Sequence, residues 1–331
     1  MKPLRLLLAL LASAALPVAF ARATPLPEDV QLRQRAVQLL ERANSVSALR
    51  STANVERVES FLAFDPSYGT REGSFSRVQV RGTGLREEST FGSYHAVNVW
   101  AAGHLATVRT SELAPPEIVK VRALTPIWLV RFDHEDIIQS IEDREIGGHL
   151  QHCVEFDTVA GEKTQNNELC VDAENGTLSR VKVGAELVEN SDFLPIAGAL
   201  RPAKIRYSVD DILKLEITQS ITLLTDAAAN VLEAPPNAQI RNFCRTFQRA
   251  FGQFMPQPEP GKGGGATSDV LLRGMIWPDG KVHEAVVQSS DRPDLNAEAL
   301  KVIQQWVFTP SLCDGKPNAI EATFTLHFQG R

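Results

Sequence analysis

The first regular pattern along the chain has the period of an α-helix. Between Glu28 and Leu49, apolar residues recur on one helical side while Gln, Arg and Glu fill the rest. This spacing predicts an amphipathic helix. Its polar side carries both signs of charge, so we expect the apolar stripe to pack against a domain core and not against a membrane. The stripe consists of Val30, Val37, Leu40 and Ala43.

From Val58 to about Leu223 the pattern changes to short alternating runs, separated by Gly, Pro and Asn-Gly signals. Alternation with a period of two predicts strands with one buried face, and frequent turn signals predict an antiparallel sheet. Asn175-Gly176 predicts a tight hairpin turn, because both residues accept positive φ. The clearest runs are Ser76–Val80, His95–Trp100, His104–Thr110 and Leu213–Leu223.

Pro235-Pro236 ends the sheet pattern. Asn237 is a candidate N-cap, and the residues after it divide into an apolar helical side and a side with three arginines, which predicts a short helix. The stretch from Pro256 to Gly265 is rich in Pro and then Gly, which predicts a linker. The apolar side of the expected helix holds Ile240, Phe243, Phe247 and Phe251, opposite Arg241, Arg245 and Arg249.

The last part of the chain predicts two strands, a helix and a final strand. Asp279-Gly280 connects the first two strands as a turn, and Asp294 or Asn296 caps the helix. Asp314-Gly315 forms the next turn, and Ala319 to Phe328 alternates as the last strand. The helix face expected to cover the hairpin holds Leu295, Ala299, Val302, Ile303 and Trp306.

These patterns predict an α+β protein with an N-terminal antiparallel β half-barrel and its amphipathic helix, a short linker and a small C-terminal ββαβ domain. We expect a signal peptide at 1–23, the β-rich domain at 24–232, the helix and linker at 233–267 and the small domain at 268–331. A chain of 331 residues is long enough for two cores.

The N-terminus favours export. Lys2 and Arg5 precede an apolar run from Leu6 to Phe20, followed by small-residue cleavage sites ending at Ala21 and Ala23. The run is shorter than the roughly 20 residues that span a bilayer, so we expect a cleaved signal and a periplasmic protein, with an uncleaved inner-membrane anchor as the alternative. The net charge of -6 comes without a basic patch, which argues against nucleic acid as a partner.

Export gives the four cysteines a function, because an oxidising compartment allows them to pair. Cys153 and Cys170 lie on segments predicted to be neighbouring strands, so a cross-strand disulfide is expected. Cys244 and Cys313 are the two remaining cysteines and are expected to form the second disulfide. Four cysteines allow three connectivities, and two buried free thiols are the alternative to this second pair.

The C-terminal motifs occur in a compact order: Gly274 in a hydrophobic strand, the Asp279-Gly280 turn, Ser289-Ser290, Trp306-x-Phe308-x-Pro310, and Asp314-Gly315-Lys316-Pro317. In this order and spacing, residues 268–329 resemble the C-terminal domain of the TonB family. That family adds a peptide to a sheet edge and contacts outer-membrane transporters. The resemblance implies that the last strand is an exposed edge able to accept a partner strand. The implied partner-binding residues are Ile320, Glu321, Ala322, Thr323, Phe324, Thr325, Leu326, His327 and Phe328.

Two departures from the family pattern affect this expectation. Cys313 lies just before the turn, so a disulfide to Cys244 could place the expected 237–251 helix beside the edge, and in that case the binding site would be masked. TonB transducers also have a transmembrane helix with a histidine that contacts the inner-membrane motor, whereas the first histidine here is His95. We therefore expect binding without force transmission.

Residues 28–225 resemble, in element order, the half-barrel of periplasmic lipoprotein carriers of the LolA type. The resemblance implies an apolar concavity for an acyl ligand, with ordinary core as the alternative for its lining. The aromatic residues involved are Phe61, Phe64, Phe75, Trp100 and Trp128.

We find no motif that carries catalysis. His149 and His152 lie near Cys153, but their spacing fits no zinc pattern. The three glycines ending at Gly265 lack the Lys-Ser/Thr of a phosphate loop. The sequence therefore predicts a non-enzymatic, TonB-like periplasmic protein without a cofactor, which binds an envelope protein or peptide segment by strand addition. A periplasmic lipid or lipoprotein carrier is the alternative.

Overall fold

Strands dominate the structure, a computed structural model that describes residues 28–49, 53–65, 69–124, 131–160, 163–225, 230–259, 267–290 and 292–329. Within these ranges the helices are α1 (Glu28–Ser47), α2 (Pro116–Leu124) and α3 (Asn296–Ile303). The first strands are β1 (Asn54–Asp65), β2 (Gly69–Val80), β3 (Gly84–Phe91), β4 (Tyr94–Ala101), β5 (His104–Arg109), β6 (Ile137–Ile146), β7 (His149–Ala160), β8 (Lys163–Asp172), β9 (Leu178–Val183), β10 (Glu186–Ile196), β11 (Ala199–Val209) and β12 (Ile212–Leu224). The remaining strands are β13 (Gln239–Asn242), β14 (Phe247–Gln248), β15 (Phe251–Phe254), β16 (Ser268–Ile276), β17 (Val282–Ser290), β18 (Val307–Thr309), β19 (Ser311–Cys313), β20 (Lys316–Asn318) and β21 (Ile320–Phe328).

The first thirteen strands form one antiparallel sheet in the order β13-β5-β4-β3-β2-β1-β12-β11-β10-β9-β8-β7-β6. Most neighbours in the sheet are also neighbours in sequence, because short turns return the chain beside itself. There are two exceptions. β13 pairs with β5 at one edge of the sheet, and β1 pairs with β12 from Asn54 opposite Leu224 to Ala63 opposite Leu215, which joins the two halves. The strands predicted from alternation are confirmed as β2, β4, β5 and β12.

Helices α1 and α2 lie on the same face of this sheet. Ile118 and Val121 of α2 pack with Ile205 and other residues of the sheet in one core. Arg201 lies on the same side of β11 as Ile205 and is buried, and its Nη1 donates to the carbonyl oxygen of Ser47 at 3.0 Å. A guanidinium at the last residue of α1 satisfies a carbonyl that the helix leaves open.

Burial, followed by repulsion from Arg57, lowers the pKa of Arg201 to about 9.

The second core of this face joins α1 to β7 and β8 and contains Ala36, Leu40, Ala43, Val154, Phe156, Leu169 and Val171. The predicted amphipathic helix therefore packs on a core, and the predicted α+β class with a half-barrel-like N-terminal sheet is confirmed.

The predicted bond between Cys153 and Cys170 is present. The two residues lie directly opposite each other on β7 and β8, and both are fully buried. Of the aromatic residues predicted to line a concavity, Phe61 and Phe75 are buried in the core under α2. Trp128 falls outside the described residues. The expected signal segment 1–23 also falls outside them.

The C-terminal domain is a three-stranded sheet in the order β17-β16-β21, covered on one side by α3. Gly280 has φ +76°, and a Cβ there would lie 2.2 Å from the carbonyl oxygen of Phe308, so the predicted Asp-Gly turn requires glycine. The helix face predicted to cover the hairpin is confirmed, since Leu295, Ala299, Val302, Ile303 and Trp306 all belong to this core.

The helix predicted from Asn237 to Phe251 is wrong. This segment instead forms β13, which pairs with β5, and β14 and β15, which pair with β19 and β18. Its apolar residues have helical spacing, but helix propensity is a weak prior that tertiary pairing overrides. As a consequence, the large sheet extends to Asn242, inside the segment predicted as helix and linker.

No helix in the described part of the chain is both long and apolar enough to cross a membrane.

We expect the sheet disulfide to stabilise the large sheet. Replacing Cys153 and Cys170 together by Ala should lower the free energy of unfolding by about 2–4 kcal/mol, because a bond that closes a loop of this size restricts the unfolded chain. Guanidinium unfolding followed by circular dichroism measures the change. Reduction of the wild-type protein would also break the bond between Cys244 and Cys313. The Cys244→Ala, Cys313→Ala protein, unfolded once oxidised and once reduced, therefore separates loss of the sheet disulfide from loss of its two sulfur atoms. An unchanged transition in both comparisons would contradict the prediction.

Candidate functional site

The strand predicted as the partner-binding edge, β21, lies at the edge of the C-terminal sheet. It pairs with β16 at nine consecutive positions, from Ile320 opposite Ile276 to Phe328 opposite Ser268. Within the described residues no strand pairs with its other side. In an antiparallel pair, every second residue directs its N–H and C=O away from the partner. The strand therefore has a regular row of outward backbone groups.

The two faces of β21 alternate as the sequence predicts. Ala322, Phe324, Leu326 and Phe328 face the core under α3, together with Ile320. The other face is exposed and consists of Glu321, Thr323, Thr325 and His327.

The opposite edge of the same sheet, β17, is irregular. Its register with β16 shifts twice, and Glu284 has a positive φ of 53°. The Glu284 carboxylate accepts the backbone N–H of Glu112 at 3.0 Å, so this edge lies against the 110–116 segment of the N-terminal domain. Bulges interrupt the regular spacing that an added strand needs. Only β21 therefore combines a regular ladder with an unpaired side among the described edges of this sheet.

A groove of about 570 Å³ lies along the first six residues of β21. The floor of the groove includes Trp306 and Phe308, which follow α3 in sequence. The far wall of the groove is formed by the segment that precedes the linker. We call that segment, residues 243–256, the aromatic ribbon. The groove is lined by Phe247, Arg249, Ala250, Met255, Ile276, Trp306, Phe308, Ile320, Glu321, Ala322, Thr323, Phe324 and Thr325.

The aromatic ribbon is held to the C-terminal domain at both of its ends. Cys244 forms a disulfide with Cys313, as predicted. The other end is held by Trp306, whose Nε1 donates to the Pro256 carbonyl oxygen at 2.9 Å. Between these points β14 and β15 pair with β19 and β18. The disulfide thus brings the predicted segment beside β21, but the segment lines the groove without pairing with the strand.

Asp314 adds a polar anchor beside the disulfide. Its Oδ1 accepts the backbone N–H groups of Arg245 and Thr246 at 3.0 and 2.8 Å, and the Thr246 hydroxyl at 3.1 Å. The Thr246 backbone bond, then its hydroxyl and the Arg245 bond, hold the pKa of Asp314 below its ordinary value of 3.8. Asp314 also has φ 49° in the Asp-Gly turn, a conformation that Asp and Asn tolerate better than most residues.

Gly252 shapes the wall of the groove. A Cβ on Gly252 would lie 2.4 Å from Sδ of Met255, so a larger residue at this position would displace the flexible Met255 side chain from its place across the ribbon. Met255 lines the groove. A flexible thioether adapts to differently shaped apolar side chains.

The C-terminal domain is joined to the large sheet through Arg273 of β16. This residue is buried, and its guanidinium donates to the Ala114 carbonyl oxygen while its Nε lies 3.2 Å from Oε1 of Glu321. Arg273 therefore connects the face of the small sheet away from α3 both to the N-terminal domain and to β21.

The C-terminal sequence agrees with this geometry. Residues 258–329 match the family model described as Gram-negative bacterial TonB protein C-terminal. The C-terminal segment is a TonB-like domain. The resemblance stated from its motifs is confirmed. The matched residues include the free strand and α3, whereas the aromatic ribbon ends before they begin.

No curated protein sequence matches the chain. Similar solved structures include a LolA superfamily protein from Nitrosomonas europaea, 14% identical, covering 59% of this chain and 96% of that one with a TM-score of 0.38. A DUF1329 family protein from Desulfovibrio piger is 10% identical and covers 60% and 96%, with a TM-score of 0.41. The Pseudomonas aeruginosa MucA/MucB complex is 13% identical and covers 72% and 80%, with a TM-score of 0.28.

The two histidines near Cys153 contact different acidic residues. His152 contacts Asp143 through Nδ1 at 2.7 Å, and Nδ1 of His149 lies 3.8 Å from a carboxylate oxygen of Asp172. Cys153 is bonded to Cys170. Among the described residues, no group of three or more His, Cys, Asp and Glu side chains is arranged to hold a metal ion.

Sequence reasoning missed the far wall of the groove. Phe247, Arg249 and Met255 were not predicted as site residues, because helical spacing assigned the segment to a helix on a domain surface. The one signal that pointed to the groove was the even number of cysteines, which predicted the bond from Cys244 to Cys313.

We expect Asp314 to hold the start of the ribbon. In Asp314→Ala the amides of Arg245 and Thr246 should exchange with solvent faster, because they lose their acceptor; Asp314→Asn keeps an oxygen and the turn conformation and should show a smaller effect. Hydrogen exchange measured by NMR tests both variants.

The same anchor predicts a dependence on pH. Because the pKa of Asp314 is lowered in the folded protein, its contribution is present above the ordinary value of 3.8 and is lost as pH falls through the lowered value. The amide proton shifts of Arg245 and Thr246 should titrate with a midpoint below 3.8. A midpoint at or above it would show that these bonds do not stabilise the carboxylate.

Proposed function

We propose that the protein is a periplasmic, non-enzymatic binding protein that captures an extended segment of an envelope partner by adding it as a strand to β21. The observation that supports this most directly is the unpaired side of β21 facing a groove lined by apolar residues. Backbone hydrogen bonds along the strand would give affinity, and the groove would select side chains. The proposed binding residues are those of the strand, Ile320 to Phe328.

The groove indicates where along β21 an added segment would bind. Its lining includes residues 320–325 and stops before Leu326. An added segment would contact the aromatic ribbon on its far side over these six residues. Trp306, Phe308 and Met255 favour apolar side chains there, while Arg249 favours an acidic residue.

The carrier alternative has weaker support. It needs an apolar concavity, but Phe61 and Phe75 are buried in the core formed with α2. α1 covers a further part of the same face through Leu40 and Ala43. Mass spectrometry of the gently purified protein distinguishes the two functions, because an acyl ligand that co-purifies with the protein would favour the carrier.

Proline substitution tests the role of the edge. Adjacent residues of β21 direct their N–H groups to opposite sides, so one of Ala322→Pro and Thr323→Pro removes a bond to β16 and the other removes an outward group. We expect the variant that loses an outward N–H group to bind the added segment at least about tenfold more weakly, because one backbone hydrogen bond to the segment is lost and the proline ring stands in its way. Its unfolding transition should be unchanged. The inward variant should lose stability.

The ligand for this experiment is a peptide selected by display against the folded protein, and affinity is measured by fluorescence anisotropy. Thr323→Val retains the N–H and the side-chain size and serves as the matched control. Unchanged affinity in both proline variants, with the fold intact, would exclude strand addition at β21.

A further inference from the structure

The large sheet is split at one end, between β11 and β12. Their pairing ends at Lys204 opposite Thr218, although β11 continues beside β10 to Ala199 and β12 continues beside β1 to Leu224. Pro202 lies in this part of β11 and has no backbone N–H to donate to a ladder. The two strands therefore diverge beyond this point, and each has a side that pairs with no strand in the described structure.

A cavity of about 340 Å³ lies in the split. This volume is close to the lower limit for small-ligand sites, about 300 Å³. Leu194, which lies opposite Arg201 on β10, is 51% exposed, so the cavity opens to solvent beside β10. The apolar part of the lining includes Leu194, Ile196, Ala203 and Ile221, and the polar part includes Arg201 and Gln219.

The two polar side chains are buried but incompletely bonded. Arg201 and Gln219 are each 6% exposed. Nη1 of Arg201 donates to the Ser47 carbonyl oxygen, and Nε and Nη2 have no partner in the described part of the chain. Nε2 of Gln219 donates to the Pro202 carbonyl oxygen at 2.5 Å. Oε1 of Gln219 is therefore a buried acceptor to which none of the described residues donates.

The charge of Arg201 lacks a counter-ion among the described residues. Burial, and then repulsion from Arg57, lower its pKa to about 9, so the surroundings disfavour the charged form. A buried charge is costly unless an opposite charge pairs with it. The Nε and Nη2 side of a guanidinium can form two parallel hydrogen bonds with a carboxylate. The unpartnered side of Arg201 is therefore complementary to a carboxylate.

The other features of the split favour a peptide terminus over a fatty acid. Oε1 of Gln219 requires an N–H donor, which the last peptide unit of a chain carries close to its carboxylate and which a fatty acid lacks. Because β11 and β12 converge at Lys204 and Thr218, a chain that enters the split has to end there. The positive charge of Arg201 near this closed end selects a carboxyl terminus over an amino terminus.

We propose that the split between β11 and β12 binds the carboxyl terminus of a peptide whose last residues are apolar. The terminal carboxylate bonds to Nε and Nη2 of Arg201, and the last N–H of the peptide donates to Oε1 of Gln219. The apolar side chains of the peptide lie against Leu194, Ile196 and Ile221. This site shares no lining residue with the groove beside β21, so it is a second and independent binding site.

Fluorescence anisotropy with the purified full protein tests the proposal. The probe is a pool of hexapeptides with a labelled amino terminus, a free carboxyl terminus, and Ala, Val, Leu, Ile or Phe at the last three positions. We expect the same pool with an amidated terminus to bind at least about tenfold more weakly, because it loses the charge-assisted bonds to Arg201. Decanoate should displace the probe at least about tenfold less effectively than the unlabelled pool, because it cannot donate to Gln219.

Arg201→Gln should bind the free-carboxyl pool at least about tenfold more weakly. Arg206→Gln is the matched control, because Arg206 is an exposed arginine of the same strand whose guanidinium lies 3.8 Å from Glu216; it should stay within about twofold of wild type. Since Arg201→Gln also removes a bond to α1, Ala203→Leu is the second variant. It fills the cavity, retains both polar side chains and should weaken binding by a similar factor. Circular dichroism checks the fold of each variant.

Absence of binding by the wild-type protein, equal binding of the acid and amide pools, or full binding by either folded cavity variant would overturn the proposal. Displacement by decanoate as effective as by the peptide pool would overturn it too, and would assign the cavity to a fatty acid. Both variants should still bind the display-selected peptide at β21, so failure of this proposal is distinguishable from failure of strand addition. Loss of both kinds of binding in both variants would contradict a separate site.

Discussion

The disulfide between Cys244 and Cys313 is the constraint on which the candidate site depends. Cys244 follows β13, the last strand of the large sheet, after a single intervening residue, and Cys313 ends β19 of the C-terminal part. The bond therefore ties the edge of one sheet to the neighbourhood of the other across 69 residues of chain. A link of this span removes much freedom from the unfolded chain and fixes which surface the ribbon covers.

Once the ribbon is fixed, the two edges of the small sheet acquire different environments. β17 is bulged and lies against the N-terminal domain through Glu284, whereas β21 is regular and faces a groove. Proteins commonly protect sheet edges by irregularity or by covering them. Here both devices act on β17. The ribbon stands beside β21 but leaves its backbone groups unpaired in the described structure, which is why we assign binding to that strand.

The two sides of the aromatic ribbon carry different side chains, and the bulge in β15 determines which residues lie on each side. Its inner side, with Gly252 and Met255, completes the groove, and its outer side presents Phe251 and Phe254 to solvent. The restraints at Asp314 and Trp306 allow both faces to be preformed.

The sequence by itself determined the elements whose local pattern and partners agree. Alternation predicted the strands of the large sheet, the Asp-Gly turns and the apolar side of α3 predicted the C-terminal module, and its motifs identified the TonB-like domain. It did not determine the 237–251 segment, where helical spacing of Ile240, Phe243 and Phe247 gave the wrong element. Only the tertiary structure decided that segment, because pairing with β5, β18 and β19 and the bond to Cys313 outweigh a weak local propensity. The groove followed from those long-range contacts, which no local pattern encodes.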